Sequence, residues 1–216
     1  RFSYGLRGSS ILAALANAVL LLVAVGFIVY HAAFRLIIPA AVESGTVILV
    51  AGIGIAVNAA TALMFARGRR TDLNVRGAYL HMVADALVSA GVVVSGIAIL
   101  ATGWHWIDPI VSMLIAGAIL VSTWDMLRES LAMALAGVPR GINPDEVESF
   151  LSDQPGVACV RHLHIWPTST TETALTVVLV VPGGFPGDRF LTGLRHEVEH
   201  RFRITHATFE VETGQG

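Results

Sequence analysis

Apolar positions follow two rhythms along this chain. Up to about residue 126 they come in long runs. Gly8 to Phe34 and Ser44 to Ala66 contain no Asp, Glu, Lys or Arg, and a third run from Gly77 to Thr102 is interrupted only by His81 and Asp85. A fourth begins at Ile107 with Asp108-Pro109 and reaches about Met126. At a rise of about 1.5 Å per residue, such runs form helices long enough to cross a hydrocarbon layer of about 30 Å. The pattern predicts four spans, at about 8–34, 44–66, 77–102 and 107–126, with short connectors between them. Trp104 and Trp106, in the third connector, suit a membrane–water interface.

Beyond residue 136 the rhythm shortens. Residues 137–142 carry Gly137, Pro139 and Gly141 and read as a linker. Asn143-Pro144 then opens a helix, with Asn143 as N-cap and Glu146 at its third position. Val157 to Trp166 and Glu172 to Val181 are rich in β-branched residues, and the polar stretch between them predicts a hairpin. Asp188 to Phe202 places apolar residues at 190, 191, 194, 198 and 202, a helical stripe. Thr205 to Glu212 alternates Ala207, Phe209 and Val211 with polar residues, as a half-buried strand does. The fold class is therefore a membrane all-α helical bundle over 1–136, followed after the linker by a small α+β domain over 143–216 in the order α-β-β-α-β.

Composition sharpens this division. The 216 residues are 54% hydrophobic and 14% charged, with a mean hydropathy of +0.69, where a soluble chain carries nearer a quarter charged residues. Residues 1–139 hold 14 charged side chains, while the 77 residues from 140 onward hold 16. This excludes a wholly soluble enzyme, a disordered chain and a nucleic-acid-binding domain. Every basic residue is Arg. Arg1, Arg7, Arg67, Arg69, Arg70, Arg76, Arg128 and Arg140 fall on one side of the four spans and Arg35 alone on the other. The positive-inside rule places both ends, the loop 67–76 and the α+β domain in the cytoplasm. The single cysteine, Cys159, excludes an intrachain disulfide and a multi-cysteine zinc site.

His81 and Asp85 are the residues most able to carry chemistry. Four apart in the third span, they share one helix face, with Ser89 one turn further on. An ionisable residue at bilayer depth costs about 2.5–3.5 kcal/mol on insertion scales, which favours a functional pair over simple helix pinning. A histidine nitrogen and a carboxylate oxygen one turn apart supply half of a tetrahedral site for zinc or a similar ion. Asp108 is a further carboxylate, near a helix end; Asn17 and Asn58 read as hydrogen-bonding residues between helices. Gly91 and Ser95 form a small-xxx-small pair suited to close helix packing. In the α+β part, alternation puts His162, His164 and Trp166 on one strand face and His206 with Glu210 on another. His196 and His200 read as solvated helix surface.

The run Asp72-Leu-Asn-Val-Arg-Gly-Ala-Tyr-Leu-His81-Met-Val-Ala-Asp85-Ala-Leu-Val-Ser89 resembles the fifth transmembrane helix of the cation diffusion facilitator family, of the bacterial zinc, cadmium and cobalt efflux type. Arg1-Phe-Ser-Tyr-Gly-Leu-Arg7 resembles that family's loop before helix three, and Trp104-His-Trp-Ile-Asp-Pro109 the start of helix six. Leu163-His-Ile-Trp166 and Ile204-Thr-His-Ala-Thr-Phe-Glu-Val-Glu212 resemble strands of its metallochaperone-like cytoplasmic domain. The resemblance covers essentially the whole chain.

It implies efflux of a divalent transition metal in exchange for protons, by a homodimer in the lipid bilayer of the bacterial inner membrane. Zinc is the expected cargo, with cadmium, cobalt and nickel as further candidates, and no resident cofactor is expected. The alternative is a non-transporting membrane metal sensor or scaffold. The family has six spans and a second His/Asp-xxx-Asp motif on helix two, so the resemblance implies that this chain starts after that helix. His81 and Asp85 carry over as half of the transport site, and His164 and His206 as candidate ligands of a regulatory site. Val178 and Phe185 stand where relatives often have histidine, and the family's usual His-rich cytoplasmic loop is replaced by Arg67, Arg69 and Arg70.

Overall fold

The computed structural model describes residues 4–38 and 44–214. They fall into two compact units, one from Leu12 to Ser130 and one joining the segment up to Ile11 with Leu131 onward. The expected connector residues 39–43, and the first three residues of the Arg1–Arg7 segment, lie outside the described residues.

Four long helices dominate the first unit: α1 (Ser9–Ile37), α2 (Ser44–Phe65), α3 (Leu73–Thr102) and α4 (Ile107–Ala134), with a single 3-10 turn at Gly68–Arg70 between α2 and α3. α1, α3, α4 and the Ile48–Phe65 part of α2 are each long and apolar enough to cross a membrane. α3 begins four residues ahead of its apolar run because the Asp72 carboxylate accepts the Asn74 N–H at 2.8 Å and caps the first turn. It ends at Gly103, whose φ of 70° is open to glycine at little cost. α4 continues past Met126 through Arg128 and Glu129, since charged residues end an apolar stretch without ending a helix.

Packing within this unit runs on small residues. α1 buries Ala14, Ala18, Leu21, Val25 and Ala32, spaced alternately three and four or seven apart along one seam. Val25 meets Ala84 of α3 and Ala116 and Ile119 of α4 in a common cluster. Gly91, the first half of the expected small pair, lies where a Cβ would stand 2.5 Å from Ile115 Cδ1, so α3 and α4 approach closely there. The second half, Ser95, is fully buried. α2 packs on α3 through Gly54 opposite Ser89 and Ile48 opposite Gly96.

The α+β part contains α5 (Pro144–Ser152), β1 (Cys159–Pro167), β2 (Thr173–Val180), α6 (Asp188–Phe202) and β3 (His206–Glu212), the order expected from the sequence. Asn143 caps α5 by accepting the Asp145 N–H at 3.1 Å. The sheet order is β1-β2-β3, with β1–β2 antiparallel and β2–β3 parallel. Central β2 is buried along nearly its whole length. Val147 and Leu151 of α5 and Leu191, Leu194 and Val198 of α6 cover Leu175, Val177 and Leu179 on one face of the sheet.

One expectation fails here. β1 does not alternate regularly, because its register on β2 shifts between Arg161 and His164 and His162 takes a φ of 50°. This bulge inserts one extra residue. Val160, Leu163 and Ile165 can then all pack toward the core, so His162 does not belong to a simple face with His164 and Trp166.

Candidate metal centre

α3 holds His81 and Asp85 one turn apart, with Nε2 of His81 3.5 Å from Oδ2 of Asp85. Both side chains are half exposed, at 50% and 48%, so the pair opens away from the packed seam of the bundle. Nitrogen and oxygen ligands about 2.0–2.1 Å from zinc stand about 3.3 Å apart along a tetrahedral edge. The two atoms need shift only a few tenths of an ångström to share an ion. Gly77, one turn before His81, lets Asn17 of α1 come so close that a Cβ there would stand 2.4 Å from Asn17 Nδ2. Asn17 thus packs closely on α3 one turn from the pair, while Ser89 faces Gly54 on α2.

A buried carboxylate of this unit is engaged elsewhere. Asp108, at the start of α4, is buried and ion-paired with Arg35 of α1. Asp85 is 17 residues from the end of α3 at Thr102, which puts about 25 Å of helix between it and that end. Asp108 is committed to Arg35 on that side of the pair, in a cavity that Val88 and Val92 of α3 also line. Among the described residues, no group of three or more His, Cys, Asp or Glu could hold an ion together. The pair contributes two donors of the four that zinc takes.

Three features escaped the sequence reading. Arg76, read only as a topological charge, donates to Asp125 at 2.6 Å and Glu129 at 2.7 Å and clamps α3 to α4. The i, i+4 spacing of those two acids was the available signal. Arg35 pairs with Asp108 across 73 residues of sequence, which no local pattern announces. His31, inside the first apolar run, lines a cavity of about 200 Å³ with Phe27, Arg35, Asp108 and Ser112; a search for charges alone passes over it.

The sheet places the two candidate regulatory histidines apart. His164 pairs with Thr176, and His206 pairs with Ala174 on the other edge of β2. At strand spacings of about 4.8 Å and a two-residue offset, their Cα atoms are about 12 Å apart, too far to ligate one ion directly. His206 lies 3.2 Å from Arg7 Nη1 and 3.8 Å from the Glu172 carboxylate, and Arg7 and Glu172 are themselves ion-paired. His164, His162, His196 and His200 are exposed.

Residues 1–133 match the family described as cation efflux transmembrane domain, and residues 139–213 match the family described as cation efflux protein, cytoplasmic domain. The metal cation efflux system protein CzcD of Cupriavidus metallidurans is 36% identical over 211 residues, covering 97% of this chain and 67% of that protein. The cadmium, cobalt and zinc/H(+)-K(+) antiporter of Bacillus subtilis is 31% identical over 216 residues, 98% of this chain and 69% of its own length. The zinc transporter ZitB of Escherichia coli is 31% identical over 214 residues, 98% and 68% respectively. With both units matched in order, and His81 and Asp85 facing each other on α3, the chain belongs to the cation diffusion facilitator family.

Proposed function

We propose that the protein exports a divalent transition metal from the cytoplasm, zinc foremost, in exchange for protons. It does so as a homodimer in the bacterial inner membrane, with both ends of this chain cytoplasmic. The observation that carries this reading is the half-open His81–Asp85 pair at tetrahedral-edge spacing. An imidazole nitrogen is of borderline softness and suits zinc, and accepts cobalt, nickel and cadmium as well. The names of the related antiporters support metal efflux and exchange with protons. The distribution of arginines supports the orientation.

The coupling follows from ligand chemistry. A metal takes the neutral imidazole and the ionised carboxylate, so its arrival expels whatever protons those groups hold. Protons returning from the other side of the membrane compete for the same two atoms. Two further donors complete the site, so the pair is one half of a four-ligand centre. His164 and His206 are regulatory ligands acting separately. The His206–Glu172 pairing is the better equipped of the two, and Arg7 is the internal cation that a metal would displace.

Zinc flux into proteoliposomes, normalised to folded protein, tests the proposal. Asp85→Ala should lose transport while keeping its fold and membrane insertion. Wild-type flux in that variant would reject the site. No flux in the wild-type protein, with metal still bound, would favour the sensor or scaffold.

A further inference from the structure

A second concentration of chemistry lies at the end of the bundle where α2 hands over to α3. Arg69, Arg70, Arg76, Tyr79 and Leu80 line an open cavity of about 370 Å³. Arg76 is engaged with Asp125 and Glu129. The Asp72 carboxylate is turned to the Asn74 N–H. Arg69 and Arg70, by contrast, meet no carboxylate in any ion pair among the described residues. The Arg69 guanidinium lies over the Tyr79 ring, 4.1 Å from its centroid. A stacked guanidinium keeps its N–H edges free for an acceptor and is held in place before one arrives.

We propose that this cavity binds the phosphate of an anionic phospholipid. Guanidinium groups take phosphate oxygens through paired N–H donors, and, with the orientation of the proposed function, a basic cluster at the cytoplasmic end of a membrane helix suits anionic head groups. Leu63 and Met64, in the last turn of α2, are 76% and 82% exposed. They offer an apolar surface for the acyl chains a few residues along the chain from the cations that take the head group. Leu80 supplies an apolar wall inside the cavity itself. This juxtaposition of free guanidinium edges and exposed apolar helix favours a lipid over a soluble phosphate.

Native mass spectrometry of the full chain in detergent, titrated with phosphatidylglycerol or phosphatidylcholine, tests this. The wild type should retain phosphatidylglycerol about thirtyfold more tightly, and Arg69→Gln/Arg70→Gln should bring the two lipids close to parity, as follows from about 1 kcal/mol for each Arg near the surface. The single variants, each expected to show a partial loss, keep the comparison decisive if the double variant does not fold. Tyr79→Leu should weaken retention by freeing Arg69. Arg67→Gln makes the same change of charge on an exposed neighbour outside the cavity and should leave the preference intact. An equal effect of Arg67→Gln would assign the preference to diffuse surface charge and overturn the proposal. So would equal retention of both lipids by the wild type. Inorganic phosphate alone raising the melting temperature as much as phosphatidylglycerol does would make free phosphate the ligand and overturn the lipid assignment.

Discussion

The imidazole of His81 and the carboxylate of Asp85 face each other across one turn of α3, 3.5 Å apart and each half open. A packed, closed ion pair would bury its charges. This one leaves the outer half of both groups available to a cation, and that openness makes the identity of each ligand atom measurable.

Exchanging the nitrogen for an oxygen is the most informative change. His81→Asp keeps a donor at the position, adds negative charge and favours harder or larger ions. It should retain flux and broaden it toward cadmium and manganese, whereas His81→Ala or Asp85→Ala should lower zinc flux by more than about a hundredfold, since even residues supporting a metal ligand cost 10–100-fold. Side-by-side zinc and cadmium flux per folded molecule measures both. If the pair only pinned helices, the Ala variants would lose stability and keep their flux per folded molecule.

Zinc affinity should fall as pH drops from 7.5 to 6. Protons compete with the metal for the imidazole nitrogen and the carboxylate oxygens, and a protonated ring has no lone pair to offer, so the sign is set by competition. Calorimetry in buffers of different ionisation enthalpy should also show proton release on binding. An affinity flat over this interval would remove the coupling.

Replacing His164 and His206 by Ala should alter how flux depends on metal concentration and leave transport itself measurable. The two residues lie on opposite edges of β2, away from α3 in the sequence and in a separate compact unit. Complete loss of flux, with expression and oligomeric state unchanged, would place them in the transport path.

Arg76→Gln should lower the stability of the helical unit by about 1 kcal/mol, read as a reduced melting temperature in detergent. The Arg76 side chain is 27% exposed and the Asp125 side chain 45%, so solvent screening keeps the effect modest despite two short ion pairs.

Leu175→Ala should cost about 2–5 kcal/mol, because the side chain is fully buried under α5 and α6 and its loss leaves a cavity. Chemical denaturation of the full chain should show the loss in the transition of the α+β part.

Much of this was legible along the chain because the signals are local. Apolar runs of helical length, the i, i+4 spacing of His81 and Asp85, and the alternation from Thr205 to Glu212 all lie within a few turns or one strand. Asp108 was visible as an intramembrane carboxylate, but its commitment to Arg35 depends on which helix ends meet, and only packing decides that. The two candidate histidines of the sheet looked alike in sequence. Their separation across β2 follows from strand order, with a parallel β3 placed beyond the hairpin. The doublet Arg161-His162 between Val160 and Leu163 was a faint sign of the bulge, since a regular strand would not place two polar residues in succession.

That bulge has a consequence for how the strand can change. Arg161 now reaches across β2 toward Glu212, 3.7 Å away, while Val160 packs against the core. Deleting His162 would give an unbroken ladder with every face kept, because Arg161 would stay opposite Val178 and Leu163 would follow it opposite Val177, leaving Val160 and Leu163 on the core side and Arg161 on the other. The two halves of β1 are out of phase by one residue only because His162 stands between them, so its removal is a change of length the strand can absorb, whereas deleting a residue within either half would turn the residues beyond it to the other face.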